Sequence, residues 1–236
     1  MEILSASIDW NAYINPIAKR FNREVGIQLG DPDWEIPADL RELPFWQESQ
    51  QSAFRESLSV PFHTLRVPKK RERCLDIGCG VSFLIYPWTE WQAYFYGHDV
   101  SNRAVKFIQS RAPQLNSKLF KSMQEGRAHQ MDIYDTDQFD FAIATGFLYY
   151  YPPEYFSIMW PQLRRVLKPK APLIVEFANP DSDWADEWGL IELHKETEPI
   201  LTPLKTWEMT IKQLGGQIRK QAMGELFVTY AIAMPG

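Results

Sequence analysis

Leu75-Asp76-Ile77-Gly78-Cys79-Gly80-Val81-Ser82-Phe83 is the stretch that decides the fold. The apolar run over residues 74–77 reads as a buried strand, and Ser82 is a fitting start for a helix. The two glycines between them permit a tight turn whose backbone N–H groups approach a ligand with no Cβ in the way. An acid, Asp76, stands two residues before the first glycine, and a second, Asp99, follows Gly80 by 19 residues. Asp99 closes the next strand pattern, within Tyr96-Gly97-His98-Asp99-Val100-Ser101. A carboxylate there can accept hydrogen bonds from both ribose hydroxyls of an adenosine ligand.

Working outward, short apolar runs alternate with longer amphipathic ones. Residues 74–77, 94–98, 139–144 and 173–177 read as buried strands, and 101–112, 153–167 and 206–214 as helices. Residues 217–221 and 226–233, joined across Met223-Gly224, read as an antiparallel pair. The expected fold is α/β: a Rossmann-like, seven-stranded, mostly parallel sheet closed by a terminal antiparallel hairpin. Ahead of it, Trp10, Tyr13, Ile14, Ile17, Phe21 and Val25 mark one face of a helix beginning near Asp9. Asp31-Pro32-Asp33 and Ile36-Pro37 break the chain, and a second helix is expected over about residues 45–64. The polar junction Pro68-Lys69-Lys70-Arg71 divides an N-terminal helical cap, 1–70, from the sheet domain, 71–236.

Composition narrows the function classes. The 236 residues are 45% hydrophobic and 23% charged, which excludes a disordered or collagen-like chain. At this length roughly 70% of the unfolded surface is buried, so no disulfide staple is needed. The two cysteines, Cys74 and Cys79, form no disulfide framework. The opening Met1-Glu2-Ile3-Leu4-Ser5 carries no signal-peptide pattern, and the longest apolar stretch, 139–151, is interrupted by Asp140, Thr145 and Gly146. A cytoplasmic protein without a membrane span is the expectation. The net charge of −5 speaks against a basic nucleic-acid binder. Residues 176–198 hold eight acids and one base, a charge of −7, which leaves +2 for the rest. The four histidines are dispersed with no ligand spacing, so no metal site is expected.

The glycine turn and its two acids resemble those of the class I S-adenosylmethionine-dependent methyltransferases, and the resemblance spans roughly residues 71–235. Phe139-Asp140-Phe141 resembles the start of that family's fourth strand, and Arg165-Val166-Leu167-Lys168-Pro169 its run before the fifth. Ser82 departs from the family's third glycine, and Lys170-Ala171 from its usual glycine pair. The resemblance implies S-adenosyl-L-methionine as cofactor and methyl transfer to an O, N or C atom of a small molecule. It implies Asp76 near the methionine ammonium, with Gly78, Cys79, Gly80 and Ser82 forming the loop. Asp99 would hold the ribose and Val100 pack on adenine. Asp132, in Met131-Asp132-Ile133, would meet the adenine amino group, and Thr145 with Gly146 would flank the methionine part.

Candidates for catalysis are Tyr149 and Tyr150, after the fourth strand, and His194, beyond the fifth. Tyr13, Trp46 and Trp184 are expected to converge with Tyr150 on the substrate. The acidic segment, with two Trp, would favour a neutral or cationic substrate. No Asn or Asp adjoins Pro152-Pro153, unlike the motif of amino-methylating nucleic-acid enzymes. A nicotinamide oxidoreductase fits less well, because Phe83 stands where its last glycine belongs and Asp76 would face a pyrophosphate. A non-catalytic relative that keeps the fold as a scaffold is the other alternative.

Overall fold

The computed structural model describes residues 8–236; Met1 to Ser5, read above for a targeting signal, lie outside the described residues. The Asp9 carboxylate caps the first helix, α1 (Trp10–Gln28), accepting the N–H groups of Asn11 and Ala12 at 3.0 and 3.2 Å. Four short helices follow: α2 (Ala38–Arg41), α3 (Pro44–Glu48), α4 (Ser52–Ser57) and α5 (Phe62–Leu65). The single helix expected over 45–64 is therefore three. The Ser49 and Ser57 hydroxyls bond back to the Trp46 and Phe54 carbonyls, both at 2.8 Å, and Pro61 has no N–H to continue the ladder.

The sheet has seven strands: β1 (Arg73–Ile77), β2 (Tyr94–Asp99), β3 (Phe120–Glu125), β4 (Phe141–Ala144), β5 (Pro172–Ala178), β6 (Gln217–Met223) and β7 (Phe227–Ala233). Their order is β3-β2-β1-β4-β5-β7-β6. All pairs through β5 are parallel, and β7 runs antiparallel to both β5 and β6. The remaining helices are α6 (Ser82–Ile85), α7 (Trp88–Trp91), α8 (Asn102–Asn116), α9 (Pro153–Val166), α10 (Ala185–His194) and α11 (Leu204–Gln213). The chain winds outward from β1 to β3 and then returns to β4, so the order reverses beside β1. Ligands of such sheets lie in the crevice at the strands' carboxyl ends there.

Side chains alternate between two cores, one on each face. Leu75, Ile77, Ala144, Val175 and Phe177 pack under α9 and α11, while Cys74, Phe95, Ile143 and Ile174 pack under α5 and α8. Helix α1 enters both, with Ile14 and Ile17 in the first and Val25 in the second. It lies over the crevice as a consequence.

The acidic segment 176–198 contains α10, and its acids bind the N-terminal helices. Glu192 accepts from Arg20 at 2.5 Å, Glu196 from Arg23 at 3.2 Å, Glu187 from the Phe45 N–H at 2.7 Å, and Glu176 from the Ser59 hydroxyl. Half of the segment's eight acids are thus occupied internally. Among the described residues, no helix is long and apolar enough to cross a membrane, and no group of three potential ligands could hold a metal ion.

Candidate active site

The turn after β1 is built as the glycines allow. Gly78 and Gly80 have φ of +67° and +48°, a region unfavourable to side-chain-bearing residues. A Cβ on Gly78 would lie 2.5 Å from the Phe147 ring, whereas one on Gly80 would meet nothing within 4 Å. Asp99 ties this turn to β2: its two oxygens accept the Gly80 and Ser101 N–H groups, each at 2.7 Å. Burial pushes the Asp99 carboxyl above the usual range, and those two donors oppose the shift.

Asp76 is buried directly below. Its carboxyl accepts the Ser82 hydroxyl at 2.5 Å, so the residue that departs from a third glycine gives the acid its partner. Burial raises the Asp76 pKa to about 7, the Ser82 hydrogen bond lowers it, and nearby Asp99 adds to the rise. The Cys79 thiol faces the core beneath the loop, where burial keeps it protonated.

Above the turn lies a cavity. Gly78, Asp99, Val100 and Gly146 line it, as the sequence suggests, together with Gly126, Ala128, Tyr151 and Tyr155, which sequence reading did not single out. Ile17 and Phe21 of α1 form its roof. Gly146 has φ +82°, a Cβ there would meet nothing within 4 Å, and its N–H donates to Glu176 at 3.2 Å. Thr145 is half-buried beside it but does not line the cavity.

The residues read for the adenine edge fall elsewhere. Met131 is buried in the core, while Asp132 and Ile133 are exposed on the turn that follows. The physical reason is the position of β3, which ends at Glu125, so the chain passes the cavity at Gly126–Ala128 and has turned away by residue 132. The signal for β3 is weak because only Met123 is fully buried in this edge strand.

The proposed catalytic tyrosines serve the cap. The Tyr150 hydroxyl donates to Glu192 at 2.5 Å, on the oxygen that also takes Arg20, and its ring packs against Phe21. Tyr149 is wedged between Trp188 and Phe227. Burial drives both phenols far above their ordinary pKa, with Glu192 adding to the Tyr150 rise and Glu176 and Glu192 to that of Tyr149. His194 ends α10 against the Glu35 carbonyl at 3.0 Å and does not line the cavity. Nor do Tyr13, Trp46, Trp184 and Tyr150 converge. Tyr13 donates to the Tyr150 carbonyl, Trp46 lines a separate groove with Trp188, and Trp184 packs edge-on to Phe54 and donates to Glu225.

Residues 75–175 match a family described as "Methyltransferase domain". Those residues carry a methyltransferase domain. The chain's fold is similar to that of a geranyl diphosphate C-methyltransferase from Streptomyces coelicolor A3(2), solved with Mg2+, geranyl diphosphate and S-adenosyl-L-homocysteine. The two share 14% identity with a TM-score of 0.62, covering 94% of this chain and 98% of that one. A SAM-dependent methyltransferase from Aquifex aeolicus is also similar, at 14% identity and TM-score 0.58, over 81% and 99% of the two chains. So is the methyltransferase in a complex with the Haloferax volcanii activator Trm112, at 12% identity and TM-score 0.61, over 92% and 98%. No curated protein sequence matches the chain. The residues around this cavity fit S-adenosylmethionine: there is open space where Gly80 and Gly146 lack a Cβ, and a buried carboxylate at the end of β2.

Proposed function

We propose that this methyltransferase acts on a neutral small molecule, at an O, N or C atom, under a roof formed by its N-terminal helices. The observation that carries this reading is the roofed cavity itself, whose walls are mainly apolar and aromatic and which α1 closes with Ile17 and Phe21. A folded polymer could not lie across such a site without displacing α1. The similar Streptomyces enzyme, solved with geranyl diphosphate, supports a small acceptor. That four of the eight acids of segment 176–198 are occupied by the N-terminal helices weakens the charge argument for a cationic substrate and favours a neutral one.

When bound, the cofactor supplies a methyl group already activated on a sulfonium, so the chain's part is proximity and exclusion of water. Asp99 would grip the ribose and Val100 pack on the adenine. Asp76 would attract the methionine ammonium through the glycine turn, and Gly146 would leave room for the methionine chain at the end of β4. Tyr149, Tyr150 and His194 have no part in this mechanism, since none of them lines the cavity. Tyr151 and Tyr155, stacked with ring centroids 4.1 Å apart, both line it, and Tyr151 would align the acceptor.

Methyl-labelled cofactor incubated with protein and a fractionated cell extract tests the substrate class. Label is expected in the small organic-soluble fraction. Label retained in protein or nucleic acid would overturn the reading.

A further inference from the structure

The cavity shares Val100 and Gly126 with a second hollow, between the polar side of α1 and the end of β3. If Asp99 holds the ribose, the adenine lies at this boundary, one step toward β3. No carboxylate from the turn at Asp132 reaches it. Four polar side chains face the hollow: Asn15 and Asn22 from α1, Glu125 and Arg127 from the end of β3. The Asn22 oxygen is already taken by the Ser101 hydroxyl and the Arg103 N–H, at 2.9 and 3.0 Å. Glu125 is held by the Asn102 side-chain amide.

Arg127 and Asn15 remain. Arg127 Nη2 donates to Asn15 Oδ1 at 3.0 Å, and its Nη1 makes no hydrogen bond to the described residues. Asn15 Oδ1 has a second lone pair to offer. The hollow therefore presents an acceptor and a guanidinium donor side by side. The outer edge of adenine carries the complement, a donor amino group at N6 beside an acceptor at N1.

We propose that Asn15 and Arg127 read the adenine edge of the cofactor, the Asn15 oxygen accepting from N6 and the Arg127 guanidinium donating to N1. This rests on the placement of ribose at Asp99. The base is then recognised by two elements far apart in sequence, and purine specificity depends on the docking of α1.

Calorimetric titration with S-adenosylhomocysteine and S-inosylhomocysteine tests it, because inosine exchanges both groups, with an acceptor at position 6 and a donor at N1. The unmodified protein should bind the inosyl compound at least about tenfold more weakly. Asn15→Ala and Arg127→Ala should each lose about tenfold in affinity for the adenosyl compound, and their preference should collapse to within about twofold. Asn15→Asp, which keeps the acceptor, should retain the preference. Asn15 is exposed, so the ligand-free melting temperature of Asn15→Ala should not fall. Unchanged preference in both alanine variants would overturn the proposal, as would a preference that collapses in Glu125→Gln instead. If the unmodified protein binds neither compound, the cofactor-site reading falls and takes this one with it, an outcome distinct from binding without discrimination.

Discussion

Single residues carry the chemistry of the glycine turn, and two carboxyls there have opposite demands placed on them. Asp76 is buried with one hydroxyl partner and a pKa near 7, against 3.8 for the free side chain. A folded-state pKa above the unfolded one means that the folded chain holds the proton more tightly between these values. The associated stability is therefore present below about pH 4 and is lost as pH rises through about 7. Asp76→Asn should remove that dependence. Its ligand-free melting temperature should exceed that of the unmodified protein at pH 8 and match it near pH 4. The same titration governs binding, since only the ionised carboxyl attracts an ammonium. Affinity for S-adenosylhomocysteine should thus weaken as pH falls below about 7, by at most about tenfold per pH unit. A flat calorimetric profile from pH 8 to pH 5.5 would remove Asp76 from the ligand's surroundings. Gly78 gives a steric test. Gly78→Ala puts a Cβ 2.5 Å from Phe147 at a φ of +67°, and the expected cost is about 1–3 kcal/mol, read by denaturant unfolding. Asp76, Gly78, Gly80 and Asp99 were legible because spacing along one strand–turn–helix unit fixes their geometry. Asn15 and Arg127 were not, since 112 residues separate them and only the docking of α1 brings them together.

Elements were legible to the degree that burial patterned them. The central strands β1, β2, β4 and β5 are apolar on both faces and stand out in the sequence. The edge strand β3, with alternating polar side chains, does not, and the misplaced adenine contact at Asp132 followed directly from that. Helix α10 was hidden by its acids, which read as a substrate-facing segment. In the fold they are the ties of the N-terminal helices, the strongest being the buried contact of Glu192 with Arg20, Tyr150 and Lys195. Truncating one side of a buried ion pair leaves the other charge uncompensated, commonly at 3–5 kcal/mol. Glu192→Ala should accordingly destabilise the protein by about 3 kcal/mol and speed the release of S-adenosylhomocysteine, because α1 carries the roof residues Ile17 and Phe21. Stopped-flow release that is unaltered in a folded Glu192→Ala protein would separate α1 from ligand retention.

At the scale of the molecule, one seven-stranded sheet supplies the crevice and the N-terminal helices supply the cover. The reversal of strand order beside β1 brings Gly78, Asp99 and Gly146 to one edge from three different strand ends. The chain's −5 charge resolves into two unlike parts in this arrangement. The acidic segment binds the cover to the sheet, while the rest of the chain, the cover included, carries +2. Ligand that binds only the folded state should also stabilise it by mass action, by about 2.7 kcal/mol at a hundredfold excess over Kd. Calorimetric titration of S-adenosylhomocysteine into the unmodified protein and into Asp99→Ala tests the central claim most directly. Saturable binding at one site per chain is expected for the first and none for the second. Absence of binding to the unmodified protein at millimolar ligand, or equal binding to both, would contradict the assignment of this cavity as the cofactor site.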